Sequence, residues 1–212
     1  MTAQNHTKRL SGLYVILDPS VRPERPLVEV LKAGVEGGAK IFQYRNKEGS
    51  MKAAYAEALA LRKLAADLGV TFIVNDRSDL AMAVDADGVH LGQDDLPYAD
   101  ARKLLGPDKV IGLSTHNADQ VLQGDKLKPD YIGFGPIFKP ASKRDHDAVV
   151  GLEGLREVRS LTSLPIFAIG GIQPDQAGSI MQAGADGIAV ISAVLTAPDV
   201  KKAVEQFISQ LA

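Results

Sequence analysis

Short runs of apolar residues alternate with longer segments of helical character along the whole chain. The runs predict strands at residues 12–17, 39–44, 70–75, 87–91, 109–113, 130–134, 165–169 and 186–191. Their interiors are rich in Val, Ile, Leu and Phe and show no apolar–polar alternation, which is typical of parallel strands buried on both faces. The pattern therefore predicts a parallel sheet in the α/β class.

The segments between these runs have the composition and spacing of helices. Residues 51–68 are rich in alanine and carry apolar residues at helical intervals. Gly69, Gly106 and Gly184 follow predicted helix ends, where glycine commonly terminates a helix. The other helices are predicted near residues 26–36, 77–84, 97–105, 117–126, 151–161, 173–183 and 198–211.

Uninterrupted strand–helix units favour a closed (β/α)8 TIM barrel over an open doubly wound sheet. The turns at residues 86–89 and 185–188 resemble each other, which suits a repeated unit. No stretch has the composition of a linker between domains. We expect residues 1–11 to form a flexible N-terminal segment and residues 12–212 to form a single TIM-barrel catalytic domain. The longest irregular segment, residues 135–150, follows the sixth predicted strand, where a loop is often functional.

Composition and charge exclude several classes of function. The chain has 212 residues and a net charge of −2, so no overall attraction to nucleic acid or to an anionic membrane is expected. No apolar stretch approaches the length of a membrane span. The absence of cysteine excludes a disulfide, a thiolate zinc site and a cysteine nucleophile. Residues 1–12 are polar without the apolar core of a secretory signal, so we expect a cytoplasmic enzyme.

Polar side chains follow the predicted strands at their carboxyl ends, which meet at one rim in a barrel. Asp76 and Asp95 each lie just beyond such a strand. Two carboxylates that face one space suit Mg2+, which takes few protein ligands and shares the rest with water and phosphate oxygens. The alternative is that each carboxylate caps the helix that follows it. The spacing alone does not decide between these interpretations.

Gln43, Arg45 and Lys47 alternate along an extended segment, so their side chains share one face. Polar donors inside a barrel are costly unless they bind an anion or a carboxylate. We favour anion binding, because a guanidinium group suits phosphate oxygens. The alternative is an ion pair with Asp76 or Asp95 across the barrel.

Gly170-Gly171 and Ser192 follow the seventh and eighth predicted strands. In this fold these positions commonly form a phosphate site from backbone N–H groups, and glycine allows a phosphate to approach the backbone closely. The alternative is a tight turn followed by a capping serine. The position in the fold favours the phosphate site.

The histidines give weaker indications. His90 lies within a strand and is predicted to be a hydrogen-bonded core residue rather than a ligand. His116 either contacts a substrate or caps the helix near Asn117, whereas His6 and His146 are predicted to face solvent. No Ser-His-Asp arrangement is evident.

Eight motifs occur in order over most of the chain, and together they indicate a family. They lie at residues 43–47 (QYRNK), 74–77 (VNDR), 87–95 (DGVHLGQDD), 112–116 (GLSTH), 133–138 (GFGPIF), Lys143, 168–172 (AIGGI) and 191–192 (IS). From about residue 12 to the end, the chain resembles the thiamine phosphate synthase family.

The resemblance implies a (β/α)8 barrel that joins hydroxymethylpyrimidine diphosphate to hydroxyethylthiazole phosphate and releases diphosphate. It implies that Mg2+, the cofactor, is held by Asp76 and Asp95. It implies that members are commonly homodimers. The residues implied to contact the pyrimidine diphosphate are Gln43, Arg45, Lys47, Asn75, Ser114 and Lys143. Those implied to contact the thiazole phosphate are Ser142, Gly171, Ile191 and Ser192. Arg45, Lys47, Ser114 and Lys143 are the residues predicted to be catalytic.

One segment departs from the family pattern. The family usually carries Thr-x-Thr-Lys at the catalytic lysine, whereas this chain has Pro140-Ala141-Ser142-Lys143. Ser142 keeps a hydroxyl group, but Pro140 has neither a hydroxyl nor a backbone N–H. This loop therefore offers the thiazole phosphate up to two fewer hydrogen-bond donors than the family pattern does.

Three other functions compete with the synthase. A thiazole tautomerase-like isomerase lacks the metal pair that Asp76 and Asp95 supply here. A sugar-phosphate isomerase or epimerase would share only the phosphate site. A non-catalytic barrel that binds a thiamine precursor would have no need for both carboxylates and Lys143.

Overall fold

The computed structural model describes residues 10–139 and 148–211. Eight parallel strands pair in chain order, and the last pairs with the first to close a barrel. They are β1 (Gly12–Leu17), β2 (Ile41–Tyr44), β3 (Thr71–Asn75), β4 (Gly88–Leu91), β5 (Val110–Thr115), β6 (Tyr131–Phe134), β7 (Ile166–Ile169) and β8 (Gly187–Val190). The predicted (β/α)8 barrel is confirmed.

Helices cover the outside of the barrel. They are α1 (Leu27–Glu36), α2 (Met51–Asp67), α3 (Ser78–Ala83), α4 (Tyr98–Leu105), α5 (Ala118–Leu127), α6 (Gly151–Leu161), α7 (Ala177–Gln182), α8 (Ser192–Leu195) and α9 (Val200–Leu211), with a 3-10 turn at Pro174–Gln176 before α7. The sequence did not predict α8, because a helix of four residues is too short to show periodicity. In the described ranges, no helix combines the length and hydrophobicity that a membrane crossing requires.

Side chains from the strands fill two separate cores, which explains why the strands show no apolar–polar alternation. In β1, Leu13, Val15 and Leu17 pack outward against the helices, whereas Tyr14 and Ile16 point into the barrel. The inner cluster consists of Tyr14, Ile16, Ile41, Ile73, Val110, Tyr131, Phe167 and Ala189. This cluster closes the barrel interior and forms the floor beneath the strand ends.

Local signals in the sequence place the ends of several helices. The Ser50 hydroxyl accepts a hydrogen bond from Ala53 N at 3.3 Å and caps α2. Gly69 follows α2 with a φ of 66°, a left-handed conformation that glycine adopts without strain. The chain can therefore turn sharply from α2 into β3.

Candidate active site

A cavity of about 550 Å³ opens at the carboxyl ends of the strands. Every strand, or the loop that follows it, contributes to its lining. Cations, carboxylates and glycine turns all face it, which matches the rim predicted from the sequence. Its floor is formed by Tyr14, Tyr131 and Phe167 of the inner cluster.

The backbone at Asp76 adopts a conformation that is uncommon for a residue with a side chain. Its φ is 61°, and Arg77 N donates to Asn75 O at 2.7 Å across a three-residue turn. Asp76 N donates to His90 O at 2.8 Å, which ties the turn to β4. Such conformations cost about 1–3 kcal/mol and are enriched at functional sites, although Asp85 and Lys128 also have positive φ outside the cavity. The turn directs the Asp76 side chain into the cavity.

The capping interpretation of the two carboxylates is wrong. The N-cap residue of α3 is Arg77 and that of α4 is Pro97, and neither Asp76 nor Asp95 bonds to a first helical turn. Asp95 Oδ2 instead accepts a hydrogen bond from Gly92 N at 2.6 Å. Burial raises the pKa of Asp95, and the adjacent Asp76 carboxylate adds to this effect. The two acidic side chains therefore lie together at the cavity, where a cation would relieve their repulsion.

Each of the two cations of the predicted anion site is held by a carboxylate. Lys47 Nζ lies 3.3 Å from Asp76 Oδ2, which is one of the ion pairs that the sequence left open. Arg45 pairs instead with Asp18, a buried residue after β1 that sequence reasoning missed. Asp18 also accepts hydrogen bonds from Ser20 N at 3.0 Å and Ser20 Oγ at 2.6 Å. Since Arg45 and Lys47 both line the cavity, their binding of an anion stays a prediction.

Gln43 and Ser114 also line the cavity, and both bond to groups of its floor. Gln43 is buried, and its Nε2 donates to the Tyr14 hydroxyl at 2.8 Å. Ser114 Oγ lies 2.8 Å from His90 Nε2. Asn75, the last residue of β3, lines the cavity beside Asp76.

His90 is a hydrogen-bonded residue of the barrel interior, as predicted. Its Nδ1 lies 3.0 Å from the Tyr131 hydroxyl, and burial lowers the pKa of His90 to about 4. His116 does not cap α5, because Asn117 accepts the capping bond from Gln120 N at 2.9 Å. The His116 ring bonds to Gly135 O at 2.7 Å and lines the cavity.

The glycine turn after β7 and the serine after β8, where a phosphate site is predicted, both line the cavity. Gly171 has a φ of 64°, and its N–H, like that of Ser192, donates no hydrogen bond within residues 10–139 and 148–211. Ser192 is the first residue of α8, so its N–H is one of the free donors of a helix start. Ile191 precedes it and also lines the cavity.

Steric contact with the loop after β6 also requires glycine at position 171. A Cβ atom at this position would lie 2.6 Å from Lys139 O and 2.9 Å from Phe138 O. The close approach of the loop after β6 therefore requires glycine here, whether or not a phosphate binds. Pro140, Ser142, Lys143 and His146 of that loop lie outside the described residues.

The comparisons with known proteins agree with this geometry. A family model described as thiamine monophosphate synthase matches residues 13–194. The chain belongs to the thiamine monophosphate synthase family.

Several members of the thiamine monophosphate synthase family are similar to the chain over nearly its whole length. A thiamine-phosphate synthase of Chloroflexus aurantiacus is 50% identical over 92% of this chain and 89% of its own length. A thiamine-phosphate synthase of Shouchella clausii is 46% identical over 94% of this chain and 95% of its own length. The solved structure of thiamine phosphate pyrophosphorylase from Pyrococcus furiosus is 40% identical in sequence and has a TM-score of 0.85. The match covers 94% of this chain and 95% of the solved chain. The 3-hexulose-6-phosphate synthase structure, at 17% identity and a TM-score of 0.69, shows only the shared fold.

Proposed function

We propose that the chain is a thiamine-phosphate synthase, a transferase that joins hydroxymethylpyrimidine diphosphate to hydroxyethylthiazole phosphate and releases diphosphate. The observation that carries the proposal is the convergence of a carboxylate pair, two cations and a glycine turn on one cavity, in a member of this family. The cavity of about 550 Å³ has the volume of a small-molecule site.

We propose that Asp76 and Asp95 hold Mg2+. In the described ranges no group of three or more His, Cys, Asp or Glu side chains is placed to hold a metal. Mg2+ needs only one or two carboxylates when phosphate oxygens complete its shell, so the pair fits it. The raised pKa of Asp95 reflects burial next to a second carboxylate, a situation that favours a bound cation. A bound Mg2+ would neutralise charge that develops on the leaving diphosphate.

The diphosphate leaves as a multiply charged anion, and Arg45, Lys47 and Lys143 are proposed to stabilise it. Arg45 and Lys47 approach the cavity from the loop after β2. Their pairing with Asp18 and Asp76 holds the two cations in place before substrate binds, which reduces reorganisation during the reaction. As the C–O bond to diphosphate breaks, the thiazole nitrogen forms a bond to the same methylene carbon. The chain needs to supply no nucleophile, and catalysis rests on charge stabilisation and positioning.

The thiazole phosphate is proposed to bind at Gly171, Ile191 and Ser192. These residues follow β7 and β8, whereas the proposed diphosphate contacts Arg45 and Lys47 follow β2. Among the described residues nothing accepts a hydrogen bond from the N–H groups of Gly171 and Ser192, so both can donate to phosphate oxygens without breaking a bond there. Ser142 is proposed to add a hydroxyl donor.

A charge placed at Ser192 tests this phosphate site. Ser192→Asp puts a carboxylate beside the phosphate and is expected to raise the KM for thiazole phosphate at least about tenfold. The fold should tolerate it, because acidic residues stabilise helix N-termini. Steady-state kinetics with each substrate varied should show little change in the pyrimidine KM. The matched control is Ser209→Asp on α9, which adds the same charge at an exposed position. Equal thiazole KM values in Ser192→Asp and wild type would place the phosphate elsewhere.

The proline in the loop after β6 is expected to weaken thiazole phosphate binding. Pro140→Thr restores up to two donors, each worth at most about 1.5–3 kcal/mol to a charged acceptor, and water substitutes for part of this. The thiazole KM should fall several-fold at most, with the pyrimidine KM unchanged. Kinetics of both enzymes with each substrate varied provide the measurement. An equal or higher thiazole KM in Pro140→Thr would show that the family contact does not apply at this position.

A single assay tests the proposed function against its rivals. The purified chain is incubated with both substrates and Mg2+, and thiamine phosphate and diphosphate are quantified. Equal amounts of the two products support the synthase. Isomerisation of a thiazole phosphate without diphosphate release would indicate the tautomerase-like isomerase. Binding of either precursor without turnover would indicate a non-catalytic barrel.

We further propose that the enzyme acts in the cytoplasm as a homodimer. The support is the resemblance to the thiamine phosphate synthase family, which implies that members are commonly homodimers. Analytical ultracentrifugation at micromolar concentration tests the assembly, and a monomer would contradict it.

A further inference from the structure

A chain of hydrogen bonds crosses the barrel interior beneath the cavity. Gln43 Nε2 donates to the Tyr14 hydroxyl at 2.8 Å, and that hydroxyl lies 2.9 Å from the hydroxyl of Tyr131. The Tyr131 hydroxyl lies 3.0 Å from His90 Nδ1, and His90 Nε2 lies 2.8 Å from Ser114 Oγ. This hydrogen-bond chain runs from β2 through β1, β6 and β4 to β5. Both of its ends, Gln43 and Ser114, are residues that the family resemblance implies contact the pyrimidine diphosphate.

The bonds at Tyr14 favour one direction for the whole hydrogen-bond chain. Gln43 donates to the Tyr14 hydroxyl, and among the described residues the Tyr131 hydroxyl is the acceptor within reach of the Tyr14 proton. Tyr14 therefore donates to Tyr131, and Tyr131 can then donate to His90 Nδ1. A neutral imidazole that accepts at Nδ1 carries its proton on Nε2, so His90 donates to Ser114 Oγ. The Ser114 hydroxyl proton is then left to point into the cavity.

We propose that Tyr14, Tyr131 and His90 are positioning residues that make Ser114 a donor and Gln43 an acceptor toward the substrate. This inference rests on the proposed function and deepens it. Diphosphate oxygens can only accept hydrogen bonds, so Ser114 must offer them its proton. Gln43 Oε1 accepts no hydrogen bond within the described ranges and faces the cavity, where it suits the amino group of the pyrimidine. The two ends therefore match the two ends of one substrate.

Packing against one another holds the aromatic rings of the hydrogen-bond chain in place. The Tyr131 ring stacks on His90 with centroids 5.4 Å apart and meets Phe167 edge-on at 5.3 Å. Tyr14 packs edge-on against both Tyr131 and Phe167. A Cβ atom at Gly112 would lie 2.1 Å from the Tyr131 ring, so glycine is required there to admit it. Packing of this kind holds hydrogen-bonding groups in a fixed geometry before substrate arrives.

The tautomer of His90 gives a test that requires no turnover. Nitrogen-15 NMR of the imidazole groups in the full chain should show His90 protonated on Nε2, with the signal assigned by its loss in His90→Gln. In Tyr131→Phe the donor to Nδ1 is removed, so Ser114 can donate to Nε2 and the ring should shift toward the Nδ1–H form. An Nδ1–H ring in wild type overturns the proposal even if Tyr131→Phe fails to fold. If a folded Tyr131→Phe variant keeps the His90 imidazole protonated on Nε2 as in wild type, the proposal is also overturned.

A double-mutant cycle tests whether Tyr131 acts through Ser114. The probe is inorganic diphosphate with Mg2+, and its Kd is measured by calorimetry. Ser114→Ala and Tyr131→Phe should each weaken binding roughly threefold to tenfold, the value of one hydrogen bond. In the Ser114→Ala background, Tyr131→Phe should raise the diphosphate Kd by less than a further factor of about two, because Tyr131 affects binding only through Ser114. Additive effects would refute the coupling. The matched control is Tyr98→Phe, which removes a hydroxyl bonded to Lys128 O at 3.2 Å outside the barrel and should leave the Kd unchanged.

Failure of the proposed function would be visible separately. If wild type forms no thiamine phosphate from both substrates, the synthase proposal fails, whereas the tautomer and the diphosphate Kd still report on the hydrogen-bond chain. If wild type turns over normally but the cycle is additive, the synthase stands and the positioning role is wrong.

Discussion

Asp76→Asn is expected to fold normally and to lose at least about a hundredfold in kcat, because loss of metal charge stabilisation costs several kcal/mol. The substitution keeps the size of the side chain. Asparagine also tolerates the left-handed conformation that position 76 requires, with its φ of 61°. The exposed ion pair with Lys47 contributes little to stability, so the melting temperature should change by no more than a few degrees.

The measurement combines kinetics with a titration of Mg2+. The residual activity of Asp76→Asn should need a higher Mg2+ concentration than wild type. The matched control is Asp79→Asn, three residues along the chain, which loses an exposed ion pair with Arg77 but does not face the cavity. Its kcat should stay close to that of wild type. Full activity of a folded Asp76→Asn enzyme in Mg2+ would exclude the metal role of this carboxylate.

The sequence was sufficient to predict the barrel because the strand runs carry a strong signal. Runs without alternation indicate strands buried on both faces, and the structure shows the two cores that bury them. The polar residues that follow those runs were also informative, because closing the barrel brings all strand ends to one rim. Asp76, Asp95 and Ser192 were found on this basis, and all three line the cavity.

Contacts made across the barrel were beyond sequence reasoning. Tyr14 and Tyr131 are 117 positions apart and appear in the sequence as ordinary members of apolar strands. Nothing local indicates that their hydroxyl groups meet, because this depends on the register of the closed sheet. Asp18 is a different case. It follows β1 as Asp76 follows β3, so the strand-end rule could have identified it, but its role as the partner of Arg45 required the structure.

The Asp18 contact changes what is expected of Arg45→Ala. Without the structure, this variant is expected to lose turnover with no comparable loss of stability. The structure shows that it also leaves the Asp18 carboxylate buried without its cation, since the Asp18 side chain is only 4% exposed. The two Ser20 hydrogen bonds remain, so we expect a cost of about 1–3 kcal/mol. For a chain of this size that lowers the melting temperature by roughly 2–12 °C.

A second substitution separates the two roles of Arg45. In Arg45→Ala/Asp18→Asn the unpaired charge is gone, and most of the lost melting temperature should return. Turnover should not return, because the diphosphate still lacks a charge-assisted contact worth about 1.5–3 kcal/mol, or roughly 10- to 150-fold in kcat/KM. Asp18→Asn alone keeps the guanidinium group and serves as the control, with turnover within a few-fold of wild type. The measurements are thermal melting and kcat/KM with the pyrimidine diphosphate varied. If the double variant regains both stability and turnover, Arg45 serves only to neutralise Asp18, and the diphosphate is held by other groups.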